Sequence, residues 1–356
     1  MAGKNKTTLI DILTKVAPGT PIRDSLEQII SAKTGALIVV GDLEVVKGLC
    51  DGGVSLNVEF HPQKLLELAK MDGAIILDQD FNKILGANIH LVPNSSLPTS
   101  ETGMRHRTAE RVAKQTDALV ISISQRRDII SLYWDNHKYV LEDIRSLLAK
   151  ANQALQTLEK YKLRLNQVSS NLNSLEFQDF VTLSDVATVI QRFEMVKRVA
   201  DEIEKYISEL GSEGRLIRMQ LDELVAQVEE NNMMVLKDYC KDSRRAEKAE
   251  RELGELDSDD LLDLTSMCRI LGYEGDTVNI LDVIVHPRGY RLLRQIPRLP
   301  FPVVGKIVKK FGDLQTILKA STEDLDEAEG VGEIRAKTIW EGLKRLREQS
   351  VFDRFF

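Results

Sequence analysis

Cysteine is scarce and scattered. The chain has three, Cys50, Cys240 and Cys268, far apart and with no CxxC pair. That usage excludes a disulfide framework and a structural zinc site, and it fits a reducing compartment. Long apolar runs are missing too. None approaches the roughly 18 residues that a membrane-spanning helix needs, and Met1 to Thr8 is short and polar, unlike a targeting segment. The expectation is a soluble, cytoplasmic protein. Positive charge is not in excess: the net balance is −7. This excludes a protein that coats nucleic acid uniformly, but not a local basic module, because partners respond to local fields. No repeat array or low-complexity segment is present. What the chain does have is a hydrophobic content of 43% over 356 residues, enough for a sizeable core and for two or three domains of roughly 100–200 residues each.

The pattern changes twice along the chain. In the first region, Ala36 to Val40 is a buried-strand run closed by Gly41, and Ala74 to Leu77, Asn88 to Val92, Ala118 to Ser124 and Asp128 to Trp134 are further Ile- and Val-rich strands. Helical patterns lie between them over Ser25 to Lys33, Pro62 to Met71 and Thr102 to Thr116. This alternation predicts an α/β domain over residues 1–145, a mixed sheet flanked by helices. Near Leu141 the period shifts. Ala151, Ala154, Leu158, Tyr161, Leu165, Val168, Leu172 and Leu175 follow a 3-4 heptad spacing, which predicts a long helix packed along another. Thr182 to Asp185 reads as the start of a second helix, and Gly211 to Gly214 as a break before a third running from Arg215 towards Tyr239. The charged run Lys241 to Glu255 reads as solvated helix or linker. With no strand signals, residues 146–286 are expected to form an all-α spine.

The last region, residues 287–356, is expected to be all-α as well. From Gly289 onward it has thirteen Lys and Arg against ten Asp and Glu, a net of +3 on an acidic chain. Within it, Gly330-Val331-Gly332 leads into Glu333-Ile334-Arg335-Ala336-Lys337. This resembles the helix-hairpin-helix motif of DNA-binding proteins. The glycines permit a tight turn and close backbone approach, so that N–H groups at the second helix start can bind a phosphate. Val331 would plug the hairpin into the core, and Arg335 and Lys337 would add charge without reading bases. Ile296 to Pro300, followed by Val303 to Phe311, looks like a degenerate first hairpin. The bland alternative is an ordinary helix connection with glycines only for the turn.

Two motifs in the first region point to nucleotide chemistry. Gly103-Met104-Arg105-His106-Arg107-Thr108-Ala109-Glu110-Arg111 puts three cationic or titratable side chains at a glycine-led helix start. Such a start offers free N–H groups and a favourable dipole to anions. About thirty residues earlier, Asp72-Gly73-Ala74 leads into an apolar run. A carboxylate-bound cation and an Arg/His cluster can together neutralise a polyphosphate. Alone, Asp72-Gly73 is also a common turn former, and the basic cluster could be a solvated helix face. His61, His90, His137 and His286 show no metal-ligand spacing.

Taken together and in this order, the two motifs resemble the diadenylate cyclase domain. With the helical middle and the terminal hairpin, the whole chain is similar to the family of DNA-integrity scanning diadenylate cyclases. The resemblance implies condensation of two ATP into cyclic di-AMP with release of two pyrophosphates, by two domains meeting face to face. It implies that Asp72 binds Mg²⁺ or Mn²⁺, that Gly73 lets the backbone approach the nucleotide, and that Arg105, His106, Arg107 and Thr108 hold the phosphates. Ser124 would contact the terminal phosphates, and the Leu91 backbone would read adenine. Met104 would also border the ATP, at a position where some relatives have threonine, and Gln125 stands where many have a glutamate that could be a second metal ligand. The implied partners are ATP, cyclic di-AMP, branched DNA such as a Holliday junction, and further copies in an octamer. No membrane is implied, and the implied location is cytoplasmic and nucleoid-associated. Rival classes are a non-enzymatic nucleotide-binding DNA-repair adaptor, a nuclease, for which only one convincing carboxylate is present, and a ligase. The last would use Lys70 in the sequence Lys70-Met71-Asp72-Gly73, but no further ligase motifs follow it.

Overall fold

The structure, a computed structural model, describes residues 8–41, 43–116, 118–275 and 280–352. It divides into two compact units, Met1–Asn152 with Glu204–Arg218, and Gln153–Ile203 with Met219–Phe356. The first unit opens with α1 (Leu9–Lys15), α2 (Pro21–Ser31), β1 (Ala36–Val40), α3 (Leu43–Val46), β2 (Cys50–Asp51), β3 (Val54–Glu59) and α4 (Pro62–Leu68). It continues with β4 (Ala74–Leu77), β5 (Lys83–Leu91), α5 (Met104–Gln115), β6 (Leu119–Ser124), β7 (Ile129–Trp134) and β8 (His137–Val140). The eight strands make one sheet in the order β2-β5-β4-β1-β6-β7-β8, with β3 also on β5. Only β1 and β4 run parallel; the other pairs are antiparallel.

Alternation along β1 explains why both sheet faces are covered. Ala36, Ile38 and Val40 face a core that includes Ile12, Ile22, Leu26, Ile29 and Leu65 of α1, α2 and α4. Leu37 and Val39 point the other way, into a second core with Ala109, Val112 and Ala113 of α5. A strand buried on both faces reads as a continuous apolar run, so β1 and β4 match their expected ranges. The strands without a sequence signal are β2, β3 and β8, which are mostly exposed and polar.

The remaining described residues are mainly helical: α6 (Ile144–Gln178), α7 (Leu183–Leu210), α8 (Arg215–Val225), α9 (Val228–Tyr239), α10 (Ala246–Glu255), α11 (Ser258–Leu262) and α12 (Leu264–Ile270). It ends in α13 (Tyr290–Arg294), α14 (Phe301–Phe311), α15 (Leu314–Lys319), α16 (Thr322–Asp326) and α17 (Glu333–Phe352). The heptad pattern does form one helix, of 35 residues, and Thr182 starts α7 through reciprocal bonds with Asp185. Two expectations are corrected. The helix from Arg215 to Tyr239 is two helices, because Gln227 at φ +63° lies in the left-handed region and cannot continue an α-helix. The spine also contains a small strand pair, Val181–Thr182 with Ile284–Val285. A two-residue pairing across about a hundred positions leaves no local signal.

The C-terminal helices form two hairpins of the same geometry around one core. In the first, Arg298 has φ +64° and Leu299 N–H donates to Ile296 C=O at 3.4 Å; in the second, Gly330 has φ +81° and Val331 N–H donates to Ala328 C=O at 2.9 Å. Leu299 and Val331 both enter the shared core.

Candidate active site

Register brings the separate motifs of the first unit to one end of its sheet. Ala36 pairs with Ile123, so the start of β1 lies beside the end of β6 and Ser124. Ile38 pairs with Ile75 in parallel, so the start of β4, and Asp72-Gly73 before it, lies at that same end. Ala74 pairs with Ile89 in antiparallel sense, which carries Leu91 there too. Gly73 has φ +96°, and a Cβ on it would sit 2.8 Å from the Asn88 carbonyl carbon. Only glycine fits that turn against β5. Asp72 is exposed and has no hydrogen bond or ion pair among the described residues.

Helix α5 starts at this end. Its N-cap, Gly103, supplies no side-chain cap, so the first N–H groups of the helix stay available. Met104 is 76% exposed. Arg105 reaches back over the sheet, its guanidinium 3.5 Å from the Ile123 carbonyl. It passes so close to Gly35 that a Cβ there would lie 2.0 Å from Nη1. Gly35, ahead of β1, is therefore part of the arginine's seat. Arg107 and Thr108 are half-buried and their side chains have no partner among the described residues.

His106 is held by a relay. Its Nδ1 is 3.1 Å from the Tyr133 hydroxyl, which donates to Glu101 at 3.0 Å, and Glu101 pairs with Lys138. With the Tyr133 proton directed at Glu101, the phenol oxygen accepts from His106 Nδ1–H, which leaves Nε2 free. Burial holds the His106 pKa below its ordinary value; Glu101 opposes that shift, and Lys138, Arg105 and Arg127 add to it. Burial raises the Glu101 carboxyl, but the Lys138 and Tyr133 hydrogen bonds and the nearby positive charges outweigh it, so the net shift is downward. Burial and then Glu101 push Tyr133 well up, so it remains a neutral phenol.

The second half of the same motif does other work. Arg111 donates to the carbonyls of Leu97 and Ser95 at 3.0 and 2.9 Å, and Glu110 accepts from Thr99 and the Ser100 N–H at 2.5 and 3.2 Å. These two residues hold the loop that leads into α5. Ser124 closes the β6–β7 turn, its hydroxyl accepting from Arg127 N–H at 3.3 Å. Gln125, Arg126 and Arg127 in that turn are exposed. Sequence reasoning missed Gly35, Glu101, Tyr133 and Arg127. Two adjacent arginines after a strand were a usable signal for Arg127; Tyr133 lies in an apolar strand and had none.

At the hairpin, Val331 is buried as expected and Ala336 is fully buried. Arg335, however, donates to the Gly330 carbonyl at 2.7 Å, so it braces its own loop. Lys337 is exposed and makes no ion pair among the described residues. In the first hairpin, Pro300 and Pro302 stand where the second has Gly332 and Ile334, so two backbone donors are lost there.

A free carboxylate and an uncapped, cationic helix start at one end of an α/β sheet are compatible with a nucleotide-binding domain. Residues 23–138 match the family described as DisA bacterial checkpoint controller nucleotide-binding, and residues 141–280 match the DisA bacterial checkpoint controller linker region. The DNA integrity scanning protein DisA of Acetivibrio thermocellus is 52% identical over 351 residues, 98% of this chain and 97% of that protein. Its counterpart in Clostridium kluyveri is 53% identical over 348 residues, 98% of each. The chain belongs to the DisA family, and its first unit carries a diadenylate cyclase domain. Among solved structures, a hypothetical membrane spanning protein from Bacillus cereus matches 35% of this chain and 62% of its own, at 27% identity and a TM-score of 0.31. A double mutant of DacA from Staphylococcus aureus matches 37% and 88%, at 21% identity and 0.30. No described helix is long and apolar enough to cross a membrane.

Proposed function

We propose that the first unit condenses two ATP into cyclic di-AMP and two pyrophosphates. The observation that carries this reading is the gathering of an unpartnered Asp72 and an uncapped helix start with free Arg107 and Thr108 at one sheet end. In each half-reaction a ribose 3′-oxygen bonds to the α-phosphorus of the opposite ATP. The bond from that phosphorus to pyrophosphate breaks, and the hydroxyl proton leaves to solvent. Two domains are therefore needed, each holding one ATP. The α5 N–H groups and Arg105 and Arg107 neutralise charge on the phosphates, Ser124 lies where the terminal phosphates end, and Gly73 and the Leu91 backbone border the base and ribose. His106, kept neutral by burial, would offer Nε2 to a phosphate oxygen or the 3′-hydroxyl.

Mg²⁺ or Mn²⁺ would be held by Asp72 and would supply Lewis acidity at the phosphates. An exposed carboxylate with no internal partner suits a hard cation that takes its remaining ligands from water and substrate. The test is incubation of pure protein with ATP and Mn²⁺, followed by chromatography. A cyclic dinucleotide supports the reading; AMP bound covalently to Lys70, or no turnover, overturns it.

We further propose that the second hairpin contacts DNA phosphates through the Gly330–Gly332 turn and Lys337, that branched DNA lowers cyclase activity, and that the assembly is an octamer. The left-handed Gly330 and the buried Val331 support a preformed phosphate-binding turn. Gel-shift titration with a Holliday junction against plain duplex, cyclic di-AMP production with each DNA, and light scattering for the copy number check these statements.

A further inference from the structure

The two C-terminal hairpins match position for position. Arg298 and Gly330 take the left-handed tip, at φ +64° and +81°. Val304 N–H donates to the Pro300 carbonyl at 3.2 Å, and Ala336 N–H to the Gly332 carbonyl at 2.9 Å. Helices α14 and α17 start at the equivalent residues Phe301 and Glu333. The packing between the hairpins is reciprocal. Lys306 of α14 pairs with Glu329 of the second hairpin at 2.6 Å, and a Cβ on Gly342 of α17 would lie 3.0 Å from the Ile296 side chain of the first. The two tips are therefore held in a fixed relation.

Their chemistry differs. Gly332, Glu333 and Ile334 give the second hairpin three backbone N–H groups at its helix start; the first has Pro300, Phe301 and Pro302 there and keeps one. Where the second hairpin carries Arg335 and Lys337, the first carries Val303 and Gly305. Arg298 is the only cationic side chain from Pro297 to Gly305. It is exposed and makes no ion pair or hydrogen bond among the described residues. Its backbone conformation disfavours any residue with a Cβ, and the second hairpin fills the same position with glycine. The fold would thus be served at least as well by glycine at the first tip. What arginine adds is a charged fork of N–H donors that matches a phosphate.

We propose that Arg298 binds a second DNA phosphate through its guanidinium, in place of the backbone donors that Pro300 and Pro302 remove. The inference rests on the DNA reading of the second hairpin and extends it. One hairpin holds the DNA backbone through main-chain N–H groups and Lys337, the other through a side chain. An arginine kept at the tip only for solubility would be replaceable without effect on DNA.

The test is titration of a labelled Holliday junction and of a plain duplex with the full chain at several salt concentrations. Arg298→Gly should weaken binding to both DNAs by about tenfold, as for loss of one charged hydrogen bond, and should lower the salt slope by about 1. The same variant should melt no lower than the wild type, because glycine relieves the left-handed position. That pairing separates a phosphate contact from a structural role, which would lower the melting temperature. Arg298→Lys keeps the charge and should keep the salt slope. The proposal is overturned if Arg298→Gly binds with wild-type affinity and slope, or if its weaker binding comes with a lower melting temperature. If Lys337→Ala weakens binding and Arg298→Gly does not, this inference alone fails. If the wild type binds neither DNA, the DNA reading fails with it.

Discussion

Helices α5 and α17 both begin behind a glycine and carry cations in their first turns, yet they use those cations in opposite ways. In α5 the cap glycine gives no side-chain bond, no acidic residue lies in the first turn, and Arg107 and Thr108 have no side-chain partner among the described residues. In α17 the first turn opens with Glu333, and Arg335 is bonded to the Gly330 carbonyl. One helix start is electrostatically open, and the other is partly self-satisfied. A glycine followed by arginines is thus not a phosphate site by composition. It becomes one only where the fold leaves the donors unpaired.

The strongest way to sharpen this contrast is at the open end. Asp72→Asn should reduce cyclic di-AMP synthesis by about a thousandfold or more, since losing a metal ligand costs several kcal/mol in the transition state. Thermal unfolding should not change, because Asp72 has no partner among the described residues. Product chromatography and a melt on the same sample check both halves. Near-wild-type turnover would remove Asp72 from the mechanism.

The two ends should also separate functionally. Replacing Arg105, His106 and Arg107 together with alanine should cut ATP turnover by at least about a hundredfold, in the range of lost phosphate donors, and leave DNA affinity unchanged in a gel shift. Loss of DNA binding instead would turn the α5 cluster into a nucleic-acid patch and break the comparison.

At the hairpin end, the largest expected loss is in stability. Arg291, Glu176 and Tyr239 form a buried network: Tyr239 donates to Glu176 at 2.6 Å, and Asp238 accepts the backbone N–H groups of Gly289, Tyr290 and Arg291 at 2.7, 2.7 and 2.9 Å. Arg291→Met strands the Glu176 charge and should cost about 3–5 kcal/mol in denaturant unfolding of the second unit. Burial and then Glu176 push the Asp238 carboxyl up to about 7. A raised folded-state pKa makes its ionisation unfavourable to folding, so this group's penalty is absent below pH 4, grows between about 4 and 7, and is complete above 7. Lys337→Ala should do less: a uniform weakening across DNA sequences and a salt slope smaller by about 1. Arg335→Ala should mainly loosen the turn, for about 1 kcal/mol.

The smallest effect tests the relay. The Glu101 charge raises the His106 pKa and the Tyr133 pKa, so Glu101→Gln should lower both. An NMR titration of the His106 ring that moved upward would reject the relay as described.

Much of this was legible because local sequence encoded it. The β1 and β4 runs are apolar at every position since both faces are covered, and the heptad seam of α6 needs no partner to be visible. Asp72-Gly73 and Arg105-His106-Arg107 were readable as motifs. Their division of labour was not. Arg111 reads like its neighbours, yet it staples the loop at Leu97 and Ser95, and Arg335 reads like Lys337, yet it is bonded to its own turn.

The sequence by itself determined where the buried strands and the long α6 helix form, that a nucleotide motif precedes a helical spine and a terminal hairpin, and which side chains could meet a phosphate. Only the tertiary structure decided which of them are free to do so. His106 meets Tyr133 across 27 positions and Tyr133 meets Glu101 across 32, and those distances close only once β6 and β7 are in register beside α5. The same holds for the seat of Arg105 on Gly35. Periodicity reports which way a residue faces. Whether its hydrogen bonds and charge are already satisfied depends on elements far away in the chain.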